Sequence, residues 1–511
     1  MLIKTYGAAL QGIDAQLITI EMHAVAGVDF TLVGLPDNAI KESRERIHAA
    51  LTVNGFKIPH KQLTINMAPA DMKKEGSAYD LPLAVGMLAI TEDISGKRLT
   101  DYMIMGELSL DGTLQPIHGV LPIALCARRE GFSGIILPKA NAREAAVVEG
   151  LNVYGVESLL DVVQFLNGLC TIEPTMVNTE EEFHTFARQT DVDFADVRGQ
   201  ENVRRAMEVA AAGGHNLLMV GPPGAGKSMM AKRLPSILPP LTLEEALETT
   251  KIHSVSGLLQ QNQSLVTQRP FRSPHHTITD VALCGGGSNP HPGEISLAHH
   301  GVLFLDELPE YKRSALEVLR QPLEDRCITV SRSKISIEYP ASFMLVAAMN
   351  PCPCGHYGDP THVCTCTPSQ VHRYLSRISG PLLDRIDIQC EIQAVPYEQL
   401  SRMQPGESST AIRERVIAAH RIQNQRFRAT GIHCNAQMTP KMLRNFCVID
   451  AEGHRLLSET MSKLGLSARA YDRILKVSRT IADLQQSPNI LPIHLLEAIS
   501  YRNLDRDSWG G

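Results

Sequence analysis

The stretch LLMVGPPGAGKSMMAKRL (217–234) decides the fold of the central part of this chain. Leu217 to Val220 are four apolar residues in a row, the pattern of a strand buried on both faces. The run after Lys227 reads as a helix. Between them lies G-x-x-x-x-G-K-S: Gly221, Pro222, Pro223, Gly224, Ala225, Gly226, Lys227 and Ser228. A strand before this motif and a helix after it is the context the motif requires. Its glycines let backbone N–H groups converge on phosphate oxygens, and the helix N-terminus adds a favourable dipole. Lys227 is expected to contact the β- and γ-phosphates of ATP. The Ser228 hydroxyl is expected to ligate Mg²⁺.

A second element fits the first. GVLFLDELPE (301–310) is an apolar strand that ends in Asp306 and Glu307. Asp306 would hold the Mg²⁺. Glu307 is placed to take a proton from the attacking water. This pair points to hydrolysis rather than to binding alone. A third strand, FMLVAAMN (343–350), ends in Asn350, which either orients the water or caps a turn. Phosphoryl transfer also needs positive charge near the γ-phosphate. Arg385 in SGPLLDRIDI (379–388) and Arg469 in LSARAYDR (466–473) are the candidates; composition alone favours a surface ion pair for each.

The length of 511 residues suggests about three domains. The alternation of strand and helix patterns gives an α/β chain. Residues 1–170 form one mixed unit, with strands near 15–24, 30–35, 63–68, 102–110 and 134–138 and helices near 41–55 and 119–130. Residues 171–192 read as a linker or an exposed helix. Residues 193–396 are the nucleotide-binding domain. Residues 397–511 turn helical, with five helices expected at 410–428, 439–447, 451–464, 468–485 and 491–502. The net charge of −6 neither favours nor excludes nucleic acid. No apolar run approaches the roughly 20 residues that span a bilayer. The start, MLIKTYGAALQGIDAQ, lacks a basic stretch followed by an apolar one. The expected location is cytoplasmic.

Four of the eleven cysteines fall between Cys352 and Cys366. Cys352, Cys354, Cys364 and Cys366 give C-x-C-x₉-C-x-C, two close thiolate pairs that suit tetrahedral Zn²⁺. His356 and His362 are possible substitute ligands; reduced thiols or a redox pair are the alternatives. DRCITVSRSKISIEYP (325–340) alternates as a β-hairpin with Arg332 and Lys334 near its tip. By themselves those side chains read as a solvated tip; a resemblance to ring helicases, whose hairpin at this place faces a central channel, would imply that they track DNA phosphates there. The insert 253–299 is rich in Gly, His and Pro and, on the same resemblance, is expected to supply a second channel loop. Residues 402–446 carry eight Lys/Arg against two Glu, a basic surface or simply a solvated helix face.

The order GPPGAGKS, VLFLDE, VAAMN, GPLLDRIDI and SARAYDR resembles the AAA+ ATPases, and most of all their magnesium-chelatase-like branch. The resemblance implies Asn350 as sensor 1, Arg385 as an arginine finger reaching a neighbouring subunit, Arg469 as the sensor-2 arginine, and a homo-hexamer. It also implies that Val197 to Gln200 lie near the adenine. RPFRSPHHTIT (269–279), GGGSNPHPGEISLAHHGVLFLDE (285–307), NPCPCGHYGD (350–359) and FTLVGLPDNAIKESRERIHAAL (30–51) are similar to the ComM/YifB family. That family implies a helicase that promotes branch migration on single-stranded or branched DNA during natural transformation. The runner-up is a chelatase-type ATPase that remodels a protein partner. KKEGSAYDLPLAVGMLA (73–89) and MGELSLDGTLQPIHGVLPIALCARREGF (105–132) resemble the Lon protease domain. Ala78 falls at or next to the position of its catalytic Ser, and Leu121 at that of its Lys. Without a base a hydroxyl is not activated. A non-proteolytic scaffold is therefore expected.

Overall fold

A computed structural model describes residues 2–502 apart from Val28, His60, 187–191, 261–262, 288–289, 332–335, 360–361, 394–405, Ala429 and Leu466. The chain divides into two compact units. One is Met1–Ala187 with Thr242–Thr267, and the other is Arg188–Leu241 with Gln268–Gly511. Among the described residues no helix is long and apolar enough to cross a membrane.

In the first unit, strands Leu2–Gln11 and Asp14–Val25 form an antiparallel hairpin, Leu2 opposite His23. Gln62–Ala68 pairs antiparallel with the second strand, and Phe30–Val33 lies parallel on its far side. The period-two alternation of a half-buried strand sends Ile18, Ile20, Met22, Ile65 and Met67 into the core. Helix Asn38–Val53 starts where the Asp37 side chain accepts from Ile40 N, and it buries Ile40, Ile47, Ala50 and Leu51. Helix Asp80–Ile90 is buried on every side. Tyr102–Ile104, Gly134–Pro138 and Asn152–Val156 form a separate parallel sheet of the same unit.

Two details depart from the sequence reading. The strand expected across 102–110 is interrupted, giving Tyr102–Ile104 and Glu107–Leu108. The Gly106 backbone turns away to the start of helix Asp80–Ile90, where its N–H reaches Ala78 O at 2.8 Å and its carbonyl accepts from Leu81 N at 3.0 Å. The segment Thr242–Thr267 packs in this unit although it lies after the phosphate loop in the chain. Its helix, Leu243–Val255, begins with a capping box of Thr242 and Glu245. Ser254 fastens it: the hydroxyl donates to the buried Glu144 carboxylate at 2.5 Å and the carbonyl accepts from Gly119 N at 3.0 Å. Burial pushes the Glu144 carboxyl above its usual range, and the donors Ser254, Leu121 N and Asn141 oppose that rise. Within 171–192, Thr179–Phe186 is helical.

The second unit is built on a five-stranded sheet in the order Phe271–Arg272, Val302–Leu305, Met344–Met349, Leu217–Val220, Ile388–Glu391. All four neighbouring pairs are parallel. The inner strands are buried along their length, as sheets covered on both faces require. Helices Ser409–Phe427, Pro440–Phe446, Ala451–Leu464, Ala468–Leu484 and Pro492–Ser500 follow. Ser408, Thr439, Asp450 and Ser467 cap four of them. Their apolar faces, including Ile412, Val416, Leu457, Ile474, Ile481 and Leu495, share one core with the sheet.

Candidate nucleotide site and cysteine loop

Three adjacent parallel strands deliver their next residues to one place. Gly221 follows Leu217–Val220, Asp306 follows Val302–Leu305, and Asn350 follows Met344–Met349. The carboxyl ends of parallel strands are where such sheets bind ligands. Gly224 and Gly226 have φ of 78° and 87°, a left-handed conformation that costs other residues about 1–2 kcal/mol. Helix Lys227–Ile237 starts directly behind them. The Lys227 ammonium is buried, and donates to Gly221 O at 2.7 Å, Pro222 O at 2.9 Å and Asn350 Oδ1 at 3.0 Å. Burial pulls its pKa below the usual lysine value, and Asp306 and Glu307 work against that pull. A polyphosphate bound there would add the same kind of support.

Ser228 Oγ lies 2.5 Å from Asp306 Oδ2. The hydroxyl donates to the carboxylate directly; the two hard oxygen donors would part to about 2.9 Å to share an octahedral Mg²⁺ with bonds of about 2.0–2.1 Å. Glu307 is half exposed and sits in the left-handed region with φ 52°. Its carboxylate meets His276 Nδ1 at 3.1 Å. His276 in turn stacks on His275, ring centroids 4.1 Å apart, and meets Tyr311 edge-on. The Tyr311 hydroxyl donates to Pro274 O at 2.6 Å, which ties the histidine loop to the strand end carrying Glu307. Sequence reasoning missed this imidazole. Its only signal was the His-His pair inside RPFRSPHHTIT.

The two arginine motifs clasp each other. Arg469 is exposed and donates to Asp384 Oδ2 at 3.2 Å, and Arg473 meets Asp387 at 2.9 Å. Asp387 is fully buried and also faces His215 Nδ1 at 3.3 Å. Burial pushes its carboxyl upward, but Arg473, His215 and Lys476 together hold it well below the usual carboxylate range. Arg385 is buried; it pairs with Glu324 and donates to Pro381 O at 2.5 Å. Its Nε has no hydrogen-bond partner. Near the expected adenine side, Val197 is buried and Gln200 donates to Gln393 O at 2.5 Å.

The cysteines converge. Cys352 Sγ lies 3.3 Å from Cys354 Sγ and 3.7 Å from Cys364 Sγ, and the latter two are 3.5 Å apart. All four sulfurs, Cys366 included, lie within 4.8 Å of one another, and none forms a disulfide. Tetrahedral zinc with Zn–S bonds of about 2.3 Å needs sulfurs about 3.8 Å apart, so the set fits that ion. Strands Cys327–Ser331 and Ser336–Pro340 form the expected hairpin, Ser331 opposite Ser336. Arg332 and Lys334 lie outside the described residues. In the first unit, Ser77 Oγ donates to Glu107, and Leu121 is fully buried with its N–H on Glu144 at 2.9 Å. Leu121 supplies no base.

A phosphate loop, an acidic strand end and a polar third strand on a parallel sheet, followed by a helical domain, define an AAA+ type P-loop domain. Family models agree in detail. "Magnesium chelatase, subunit ChlI" matches residues 193–400, "Subunit ChlI of Mg-chelatase" residues 20–141, and "Magnesium chelatase, subunit ChlI C-terminal" residues 406–502. Competence protein ComM of Haemophilus influenzae is 45% identical over 505 residues, 98% of this chain and 97% of that protein. YifB of Salmonella typhimurium is 45% identical over 500 residues, 98% of this chain and 96% of that protein. The chain belongs to the ComM/YifB family. Lon protease 1 of Thermus thermophilus is 30% identical over 179 residues, 31% of this chain and 22% of that protein. The Lon-like likeness expected from the sequence is thereby found.

Proposed function

We propose that this protein is an ATP-hydrolysing DNA motor of the cytoplasm, a hexameric helicase that promotes branch migration on single-stranded or branched DNA. The observation that carries the hydrolytic part is the convergence of Lys227, Ser228, Asp306, Glu307 and Asn350 at three adjacent strand ends. Lys227 neutralises phosphate charge. Ser228 and Asp306 hold Mg²⁺, which supplies further charge neutralisation when bound. Glu307 accepts the proton of the attacking water. Asn350 orients that water and already fixes the Lys227 ammonium. Arg385 and Arg469 bring positive charge to the γ-phosphate, Arg385 from one subunit to the next. Arg332 and Lys334 contact DNA phosphates without reading sequence.

The cysteine loop holds structural zinc, since four thiolates leave no open position for chemistry. The Lon-like unit is a scaffold without proteolytic activity. The DNA role draws on the likeness to a competence protein along nearly the whole chain. The second reading, an ATPase that remodels a protein partner, draws on the chelatase family models. Forked and three-stranded DNA separate the two. ATP-dependent strand displacement is expected, and Lys227→Ala should abolish it while the circular dichroism spectrum stays that of the folded chain. Hydrolysis that no DNA stimulates, but a partner protein does, would turn the assignment to the second reading.

A further inference from the structure

We propose that His356, Asp359 and His362 form a second metal site, separate from the cysteine cluster, for one divalent cation of the zinc class. The residues sit inside the cysteine loop at i, i+3 and i+6. His356 Nδ1 lies 3.1 Å and His362 Nδ1 3.2 Å from the same oxygen, Asp359 Oδ2. Ligands about 2.0–2.2 Å from one metal stand about 2.9–3.4 Å apart, depending on whether the geometry is octahedral or tetrahedral. Both distances fall in that interval. One ligand atom from each residue can be chosen so that all three lie within 4.8 Å.

The surroundings suit an ion. The imidazoles stack, with centroids 4.8 Å apart and planes 30° from parallel. In that arrangement each Nδ1 aimed at Asp359 can give its lone pair to a cation held beside the carboxylate, with the ring proton on Nε2. Asp359 is 10% exposed on its side chain, whereas His362 is 66% exposed. The site is thus anchored on one side and open to water on the other. The loop is folded to make it: Asp359 N donates to His356 O at 3.1 Å and Gly358 turns with φ 77°.

These histidines are not spare ligands for the cysteine ion. The four sulfurs gather among themselves, and the histidine Nδ1 atoms face Asp359. Two nitrogens and one oxygen suit zinc, cobalt or nickel, with the remaining positions taken by water. The two ions differ in kind. The sulfur site is coordinatively complete, and the second is exchangeable.

Cobalt distinguishes them on the full-length chain. Metal-stripped protein titrated with Co²⁺ should take up two equivalents. One should carry the near-ultraviolet thiolate-to-cobalt charge-transfer band, and the other should be weaker and lack it. His362→Ala alters an exposed side chain, so its melting temperature should match the parent. It should weaken the second equivalent by at least about 10–100-fold, the loss typical of disturbing even a supporting partner, and leave the charge-transfer band intact. Asp359→Asn should do the same. Cys354→Ser with Cys364→Ser should remove the band. Uptake of a single equivalent up to millimolar Co²⁺ overturns the proposal, and so does His362→Ala binding as much cobalt as tightly as the parent. A missing charge-transfer band speaks only to the cysteine site.

Discussion

Glu307 occupies a left-handed conformation at the end of a buried strand, and its carboxylate is engaged by His276 at 3.1 Å. In the proposed reaction Glu307 must turn a carboxylate oxygen to the attacking water, and the imidazole already occupies that carboxylate, so it restrains the group that does the work. Productive turnover then requires Glu307 to leave His276. A hydrogen bond to a charged group contributes about 1.5–3 kcal/mol at most, and half-exposed pairs lie at the low end or below. His276→Ala should accordingly raise DNA-independent ATP hydrolysis, by roughly threefold to tenfold on the scale of about 1.4 kcal/mol per decade. Steady-state phosphate release without DNA measures this. A fall in basal rate would assign His276 a supporting role in catalysis instead of a restraining one.

Helix Ala468–Leu484 is the element that joins the two arginine motifs, and its buried face is unusually polar. Arg473 meets Asp387, Thr480 reaches His215 Nε2 at 2.7 Å, and Asp483 pairs with Arg426 and Arg479. Lys476 is the member that pays for its place: burial, with the positive Arg473 nearby, pulls its pKa to about 8, and Asp387 only partly compensates. In the unfolded chain this lysine titrates near 10.4. Between pH 8 and about 10.4 the unfolded chain therefore holds more protons than the folded one, and stability from this group rises with pH. Below pH 8 both states are charged and the full penalty remains. Lys476→Met should remove that rise. The difference in unfolding free energy between parent and variant should change by about 2–3 kcal/mol across that window, read from urea melts at pH 7.5 and 10. A pH-independent difference would mean that Lys476 is charged as easily inside as outside. The helix itself was legible, because its apolar spacing and the Ser467 cap are local signals. The phosphate loop was legible for a similar reason, since only glycine takes the backbone of Gly224 and Gly226 without cost. What local pattern could not convey was partnership. The Thr242–Glu245 capping box announces a helix, but Leu243, Leu247 and Leu265 read as apolar against any core, and they pack into that of the first unit. The His276–Glu307 and His215–Asp387 pairs join residues far apart in sequence, where no periodicity connects them.

At the scale of the assembled molecule, the proposed ring makes each nucleotide site the property of two subunits. The interface is heterologous: the phosphate-loop side of one subunit meets the arginine side of the next. Arg385 waits on Glu324 with its Nε unpartnered, and Arg469 is exposed on the same clasp through Asp384. An arginine that moves from Glu324 to a neighbour's phosphate exchanges one anion for another, so little of its burial cost is added on assembly. This division of labour makes a prediction that no single-subunit site can match. Lys227→Ala chains keep Arg385, and Arg385→Ala chains keep Lys227. Each forms inactive rings alone. Mixed in equal amounts, a boundary becomes whole when an Arg385→Ala subunit offers its phosphate loop to a Lys227→Ala subunit, which happens at about one boundary in four if assembly is random. ATP hydrolysis should return on mixing, to no more than about a quarter of the parent's. Light scattering confirms that mixed rings have the parent's size, so that a failure to recover activity cannot be laid to failed assembly. Rings of full size that stay inactive at every ratio would place Arg385 and Lys227 in the same subunit's site, and the shared boundary would have to be abandoned.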